Sequence, residues 1–107
     1  MRDHLRAVNK GDVQAILEDY ADDSVILTAQ GALEGKTGVD AFFTQAFSLL
    51  PEAEVTATST VVSGDAMLVR WTAESPAGRV DDGVDTFVVE DGLIKLQSSS
   101  FTPQLNE

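Results

Sequence analysis

The hydrophobic period of this chain changes once, and that change limits what the chain can fold into. Up to Pro51 the apolar residues recur at helical spacing, and from Ala53 onward they alternate. A stripe repeating every three to four residues buries one side of a helix, whereas alternation buries one face of a strand. Helices first and strands second is the order of an α+β domain.

In the first half, Met1, Leu5 and Val8 share a helical face that runs out at Asn9-Lys10-Gly11. Gly11 suits a left-handed helix stop. Asp12 then caps a second helix, in which Val13, Ile16, Leu17 and Tyr20 follow the i, i+3, i+4, i+7 pattern. Ala21-Asp22-Asp23-Ser24 reads as a polar break, and residues 25–30 as a short aliphatic strand. Gly31, Gly35 and Gly38 read as turns. Thr37 and Asp40 have capping-box spacing at the start of a third helix, which Pro51 stops. Its Phe42, Phe43 and Phe47 are expected to pack against the concave side of a sheet, and Phe47→Ala is expected to cost about 3–5 kcal/mol.

The second half predicts strands at about 53–63, 66–75, 79–90 and 93–102, joined by short turns. Four such strands form an antiparallel meander. The expected architecture is one domain over residues 1–107, a strongly curved antiparallel sheet with the N-terminal helices packed into it. Its concave interior is a natural pocket for a small molecule.

Composition excludes several classes of function. Acidic residues outnumber basic ones 18 to 7, for a formal charge of −11, so no nucleic acid and no membrane surface is expected as a partner. There is no cysteine and one histidine, so no metal site is expected. No apolar run approaches the roughly 20 residues of a membrane helix, and no signal-peptide core follows Met1 to Arg6. The cytoplasm is the expected compartment.

Several segments resemble one family. Residues 4–13 resemble an opening helix pair joined through an Asn-x-Gly-Asp turn, and Tyr20-Ala21-Asp22-Asp23-Ser24-Val25 resembles its entry to the first strand. Residues 35–43 resemble the Gly-led start of its third helix. Gly83-Val84-Asp85-Thr86-Phe87 and Glu90-Asp91-Gly92-Leu93-Ile94 resemble its last hairpin. Together they resemble the SnoaL-like and ketosteroid-isomerase-like branch of the nuclear-transport-factor-2-like superfamily. That resemblance implies a cone-shaped α+β fold, but no one function, because the superfamily holds isomerases, epoxide hydrolases, cyclases, dehydratases and non-catalytic modules.

Asp85 is the first candidate for chemistry. Alternation puts it on a strand face with Phe87 and Val89, and a carboxylate on an apolar face must be paired, hydrogen-bonded or neutral. The resemblance implies an acid that donates to a developing enolate there; the alternative is a carboxylate bonded to neighbouring backbone or lying at a wet mouth. By resemblance His4 takes the first-helix position where ketosteroid isomerases carry a tyrosine of their oxyanion pair. Its alternative is an exposed side chain. Thr28 falls where the isomerase's general base would sit, and threonine cannot take a proton from carbon, so steroid isomerisation is not expected. The epoxide-hydrolase pattern of an Arg and two carboxylates is missing around Arg70 and Thr72.

Tyr20, Phe43, Trp71, Phe87 and Thr28 are the expected ligand-binding residues, with Ser98 and Ser100 sharing a face that could add hydroxyls. Two classes of function stay open: a cofactor-free acid–base enzyme acting on a hydrophobic small molecule through Asp85 and His4, and a non-catalytic binding or dimerising module. A homodimer through the outer sheet face is expected from Val80, Val84 and Val88, joined by Val62 and Leu68. The alternative cover for that face is the segment from Phe101 to Leu105.

Overall fold

Helices α1 (Arg2–Lys10) and α2 (Val13–Leu17) open the chain in the computed structural model, which describes residues 2–107. Met1, assigned by spacing to the first stripe, lies outside the described residues. Gly11 takes a φ of 67°, the left-handed stop its position requires. Asp12 caps α2 by accepting from the Ala15 N–H at 3.1 Å.

The second helix is shorter than its apolar spacing predicts. It ends at Leu17, and Tyr20 opens strand β1 (Tyr20–Thr28) instead. Backbone pairing of Tyr20 with Ile94 outweighs a helical i+7 match at the end of a five-residue helix. The polar run after it is a strand irregularity rather than a break. Ser24 is fully buried there, accepting from the Ala21 N–H at 2.8 Å and donating to the Ile94 carbonyl at 2.5 Å.

Strand β2 (Gly31–Glu34) folds back on β1 where only turns were expected. Helix α3 (Gly35–Leu49) starts directly after it, so Thr37 and Asp40 lie inside the helix and form no capping box. Asp40 accepts from the Thr44 hydroxyl, one turn on, at 2.8 Å. Strands β3 (Glu54–Ser63), β4 (Ala66–Ser75), β5 (Gly78–Glu90) and β6 (Leu93–Ser100) then make the expected meander, followed by a short β7 (Pro103–Leu105). The sheet order is β2-β1-β6-β5-β4-β3, with β7 on β5. Every pair is antiparallel except β1 with β6, which is parallel and corrects the all-antiparallel expectation.

Bulges decide which residues face inward. Asp81 and Asp82 on β5 together oppose Thr72 on β4, because Ala73 pairs with Val80 and Trp71 with Gly83. The extra residue turns Val80 to the inside, where it is fully buried with Leu50 and Ala73. Val80 therefore leaves the outer apolar row assigned to it by simple alternation. A bulge at Thr58 on β3 likewise shifts the register, so Val62 pairs with Met67 and Val61 with the outer Leu68, and both valines stay exposed on this edge strand. Phe101 packs on Trp71, on the inner side, so the C-terminal segment does not cover the outer face.

Helix α3 packs on β1 and β2 and stands off from β3, β4 and β5. Phe43 is buried with Tyr20, Ile26 and Val39, but Phe42 and Phe47 are only half-buried. The Phe face is therefore not seated against the long strands, and a cavity fills the gap. Phe47 still keeps most of its surface out of water, with part of the ring on the cavity, so Phe47→Ala is expected to cost about 3 kcal/mol, the lower end of the range assigned from sequence. A denaturant melt checks it. No helix among the described residues is long and apolar enough to cross a membrane.

Candidate active site

The cavity between α1, α3 and the concave sheet has a volume of about 540 Å³. Leu5, Val8, Phe47, Val55 and Met67 are among its apolar walls. Asp85 and His4 supply its titratable groups.

Asp85 sits in mid-β5 and is 8% exposed. Its register aligns it with Val69 on β4 and Ser99 on β6. Three donors converge on its carboxylate. Oδ1 accepts from Trp71 Nε1 at 3.0 Å and from the Ser99 hydroxyl at 2.8 Å, and Oδ2 accepts from Gln97 Nε2 at 2.9 Å. Burial raises its pKa, and the three hydrogen bonds act against that rise. The donor set is that of an ionised carboxylate, which accepts and does not donate. Geometry thus supports a charged acceptor rather than the neutral donor that the resemblance implies.

The second donor is itself held. Gln97 Oε1 accepts from the Tyr20 hydroxyl, which fixes the amide with Nε2 toward Asp85. Tyr20 is 1% exposed and its pKa is pushed up by burial, so it remains a phenol and a donor. It stands behind the cavity and is not part of its lining. That corrects its placement as a ligand contact.

Trp71 lies directly across from Gly83, and the match is steric. A Cβ on Gly83 would come within 2.2 Å of the indole ring atoms Cδ2 and Cε2. The absent side chain lets the ring lie on the strand with its N–H toward Asp85, and Phe101 packs on it at a centroid distance of 5.4 Å. Gly83→Ala is expected to displace the ring, cost about 1–3 kcal/mol and shift Trp71 fluorescence. Unchanged emission with unchanged stability would disprove this packing.

His4 is buried in α1, so the exposed alternative does not hold. Its ring makes edge contacts with Tyr20, Phe43 and Phe87 at centroid distances of 5.6, 6.2 and 5.9 Å. Nδ1 lies 2.9 Å from Asp19 Oδ2, just before β1. Burial lowers the His4 pKa and the Asp19 contact opposes it, so the neutral ring donates from Nδ1 to Asp19. Nε2 has no protein partner among the described residues and is left for the cavity.

These shifts give stability a signed pH dependence. His4 binds its proton less readily folded than unfolded, so its contribution is present above the unfolded value of 6.5 and is lost as pH falls below it. Asp85 has the opposite sign, since its raised folded pKa lets stability recover as pH falls toward 3.8. The melting temperature is expected to fall on acidification from about pH 7 to 5, and His4→Gln is expected to flatten that slope. An equally steep slope in the variant would rule His4 out as its source.

Phe43, Trp71 and Phe87 line the cavity with Asp85 and His4. Thr28 does not, which corrects its ligand-binding placement. Its hydroxyl closes the β1–β2 turn onto the Gly31 carbonyl at 3.1 Å, beside a second cavity of about 490 Å³. Gln97 and Ser99 take the inward places expected of Ser98 and Ser100. Val88 pairs with Leu96 but Val89 with Ile94, so Lys95 is an extra residue that exchanges the faces of β6. Asp19 carries no sequence signal, because its partner is 15 residues away across the fold.

Residues 1–97 match the model of the SnoaL-like domain family, and the chain belongs to that family. Solved structures of the same fold include the epoxide hydrolase/cyclase-like enzyme SalBIII, of pyran-ring formation in the polyether salinomycin. It is 22% identical at a TM-score of 0.81, covering 94% of this chain and 86% of that one. A candidate polyketide cyclase from Sinorhizobium meliloti is 20% identical at 0.79, covering 91% and 89%. A candidate ketosteroid isomerase from Kribbella flavida DSM 17836 is 17% identical at 0.78, covering 99% and 77%. At these identities the likeness is one of fold. No curated protein matches the chain significantly.

Proposed function

We propose that this SnoaL-like domain is a cofactor-independent acid–base enzyme acting on a hydrophobic small molecule held in the cone. The observation that carries this reading is that two buried titratable side chains, Asp85 and His4, open on one apolar cavity. His4 moves the proton. Asp19 fixes its tautomer so that Nε2 is the free base, and both carboxylates favour the imidazolium formed when a proton arrives. Asp85 holds the polar end of the ligand through its remaining acceptor position. Apolar walls exclude water and keep these charges effective. Proton removal and return on a carbon acid is the step common to isomerase and cyclase chemistry. The relatives of the fold named as an isomerase, a cyclase and an epoxide hydrolase/cyclase-like enzyme support this class of reaction.

Deuterium uptake by α-hydroxyacetophenone in D2O, followed by NMR, tests the proposal, since its hydroxyl can donate to Asp85 while its α-carbon carries the exchangeable protons. The protein is expected to accelerate exchange at least about 100-fold over buffer. Binding of the ketone without acceleration would favour a non-catalytic binding module. We also propose a cytoplasmic homodimer. Val84, Val88, Leu68 and Val61 of the outer face, with the exposed Leu96 and Leu27, form the supporting apolar surface. Sedimentation at micromolar concentration is expected to give a dimer mass, and Val84→Lys a monomer; a monomer mass for the unaltered chain would rule the dimer out.

A further inference from the structure

Hydrogen-bond bookkeeping inside the cone specifies what a ligand must bring. Three donors near Asp85 are spent on it, the Trp71 indole N–H, the Ser99 hydroxyl and one N–H of Gln97, which leaves the second N–H of Gln97. A carboxylate has about four acceptor positions, and three are taken, so one remains. The other polar atom turned to the cavity is His4 Nε2, an acceptor in the tautomer that Asp19 selects. Among the described residues the lining contains no Lys and no Arg, and the exposed Thr60 hydroxyl can act in either sense. What the cavity offers is therefore a negative charge, acceptors and few spare donors.

The walls add a second observation. Aromatic rings share the cavity with the carboxylate: Trp71, whose N–H reaches it, Phe87 two residues along the same strand, and Phe43 and Phe101 elsewhere in the lining. Ring faces attract cations and gain strength where water is excluded. The formal charge of the whole chain, −11, acts in the same direction at longer range.

We propose that the cone selects hydrophobic amines, with the protonated nitrogen placed against Asp85 and the apolar body among the aromatic rings. This names a ligand class for the site proposed above and rests on that reading. An ammonium donates to the vacant position on Asp85, neutralises a charge that apolar walls otherwise leave costly, and lies in a cavity with aromatic walls. A carboxylate ligand would meet Asp85 as a like charge, with no cationic group among the described lining residues to offset it and only the second N–H of Gln97 and the exposed Thr60 hydroxyl to donate to it. Proton transfer then falls to His4, which stays free of the ion pair.

Three probes of nearly equal shape test this: 2-naphthylmethylamine, 2-naphthylmethanol and 2-naphthoic acid, titrated at pH 7 with Trp71 fluorescence and calorimetry as readouts. The amine is expected to bind at least about 10-fold more tightly than the alcohol, and the acid more weakly than either. Asp85→Asn should bring amine and alcohol within about threefold of each other. In the unaltered protein the preference should largely survive 0.5 M salt, because buried pairs are screened less than surface charge. This arm does not depend on the variant folding. Equal binding of amine and alcohol, or a preference that salt abolishes, overturns the amine assignment and leaves the ligand site standing. Binding of none of the three overturns both.

Discussion

His4→Gln is expected to lower the proton-exchange rate by about 10²–10⁴-fold, while binding of a neutral probe changes by less than about threefold. The reason is the isolation of the imidazole. It is buried in α1, tied to Asp19 through Nδ1, and presents Nε2 to the cavity. Glutamine fills similar space but is no base near neutral pH. Asp19→Asn should lose less, and its effect should be visible in the pH profile. Asp19 raises the His4 pKa against the lowering by burial, so its removal moves the limb of the profile governed by His4 to lower pH. A profile that does not move would mean that Asp19 only supports the fold. Exchange in His4→Gln as fast as in the unaltered protein would assign the proton transfer to another group, with Asp85 the first to test.

Phe43→Ala is expected to destabilise the protein by about 3–5 kcal/mol, a large part of the 5–15 kcal/mol that holds a typical domain together. Phe43 is 6% exposed and sits where α1, β1 and α3 meet. It lies against His4 and Tyr20, each at a centroid distance of 6.2 Å, and against Phe42 and Phe47 at 5.0 and 6.0 Å. Truncation opens a void in the core and also removes the wall that positions the His4 ring. Urea melts measure the loss. If Phe47→Ala proves the costlier of the two, the helix is rotated relative to the placement described here.

The alternation from Ala53 onward predicted four strands within one or two residues of their observed ends, because hairpin turns and period-two burial are local properties. The Asn9–Asp12 turn between the first two helices was legible for the same reason. So was Asp85: an acid between apolar neighbours marks a place where water is excluded, whatever surrounds it. Other features depended on partners distant in sequence. Tyr20 joined a strand because Ile94 was there to pair with it. The bulges at Thr58, Asp81-Asp82 and Lys95 left no pattern in sequence, yet each exchanged the two faces of a strand, and the last two moved Val80, Gln97 and Ser99 inward. The His4–Asp19 contact joins a helix to the start of a strand across a turn. The sequence by itself determined the α+β class, the meander and the buried acid, since these follow from periodicity and from the cost of burying charge. Only the tertiary structure decided which donors hold Asp85, that His4 shares its cavity, and that Thr28 does not, because strand register and bulges set those positions and both are fixed by pairing between strands.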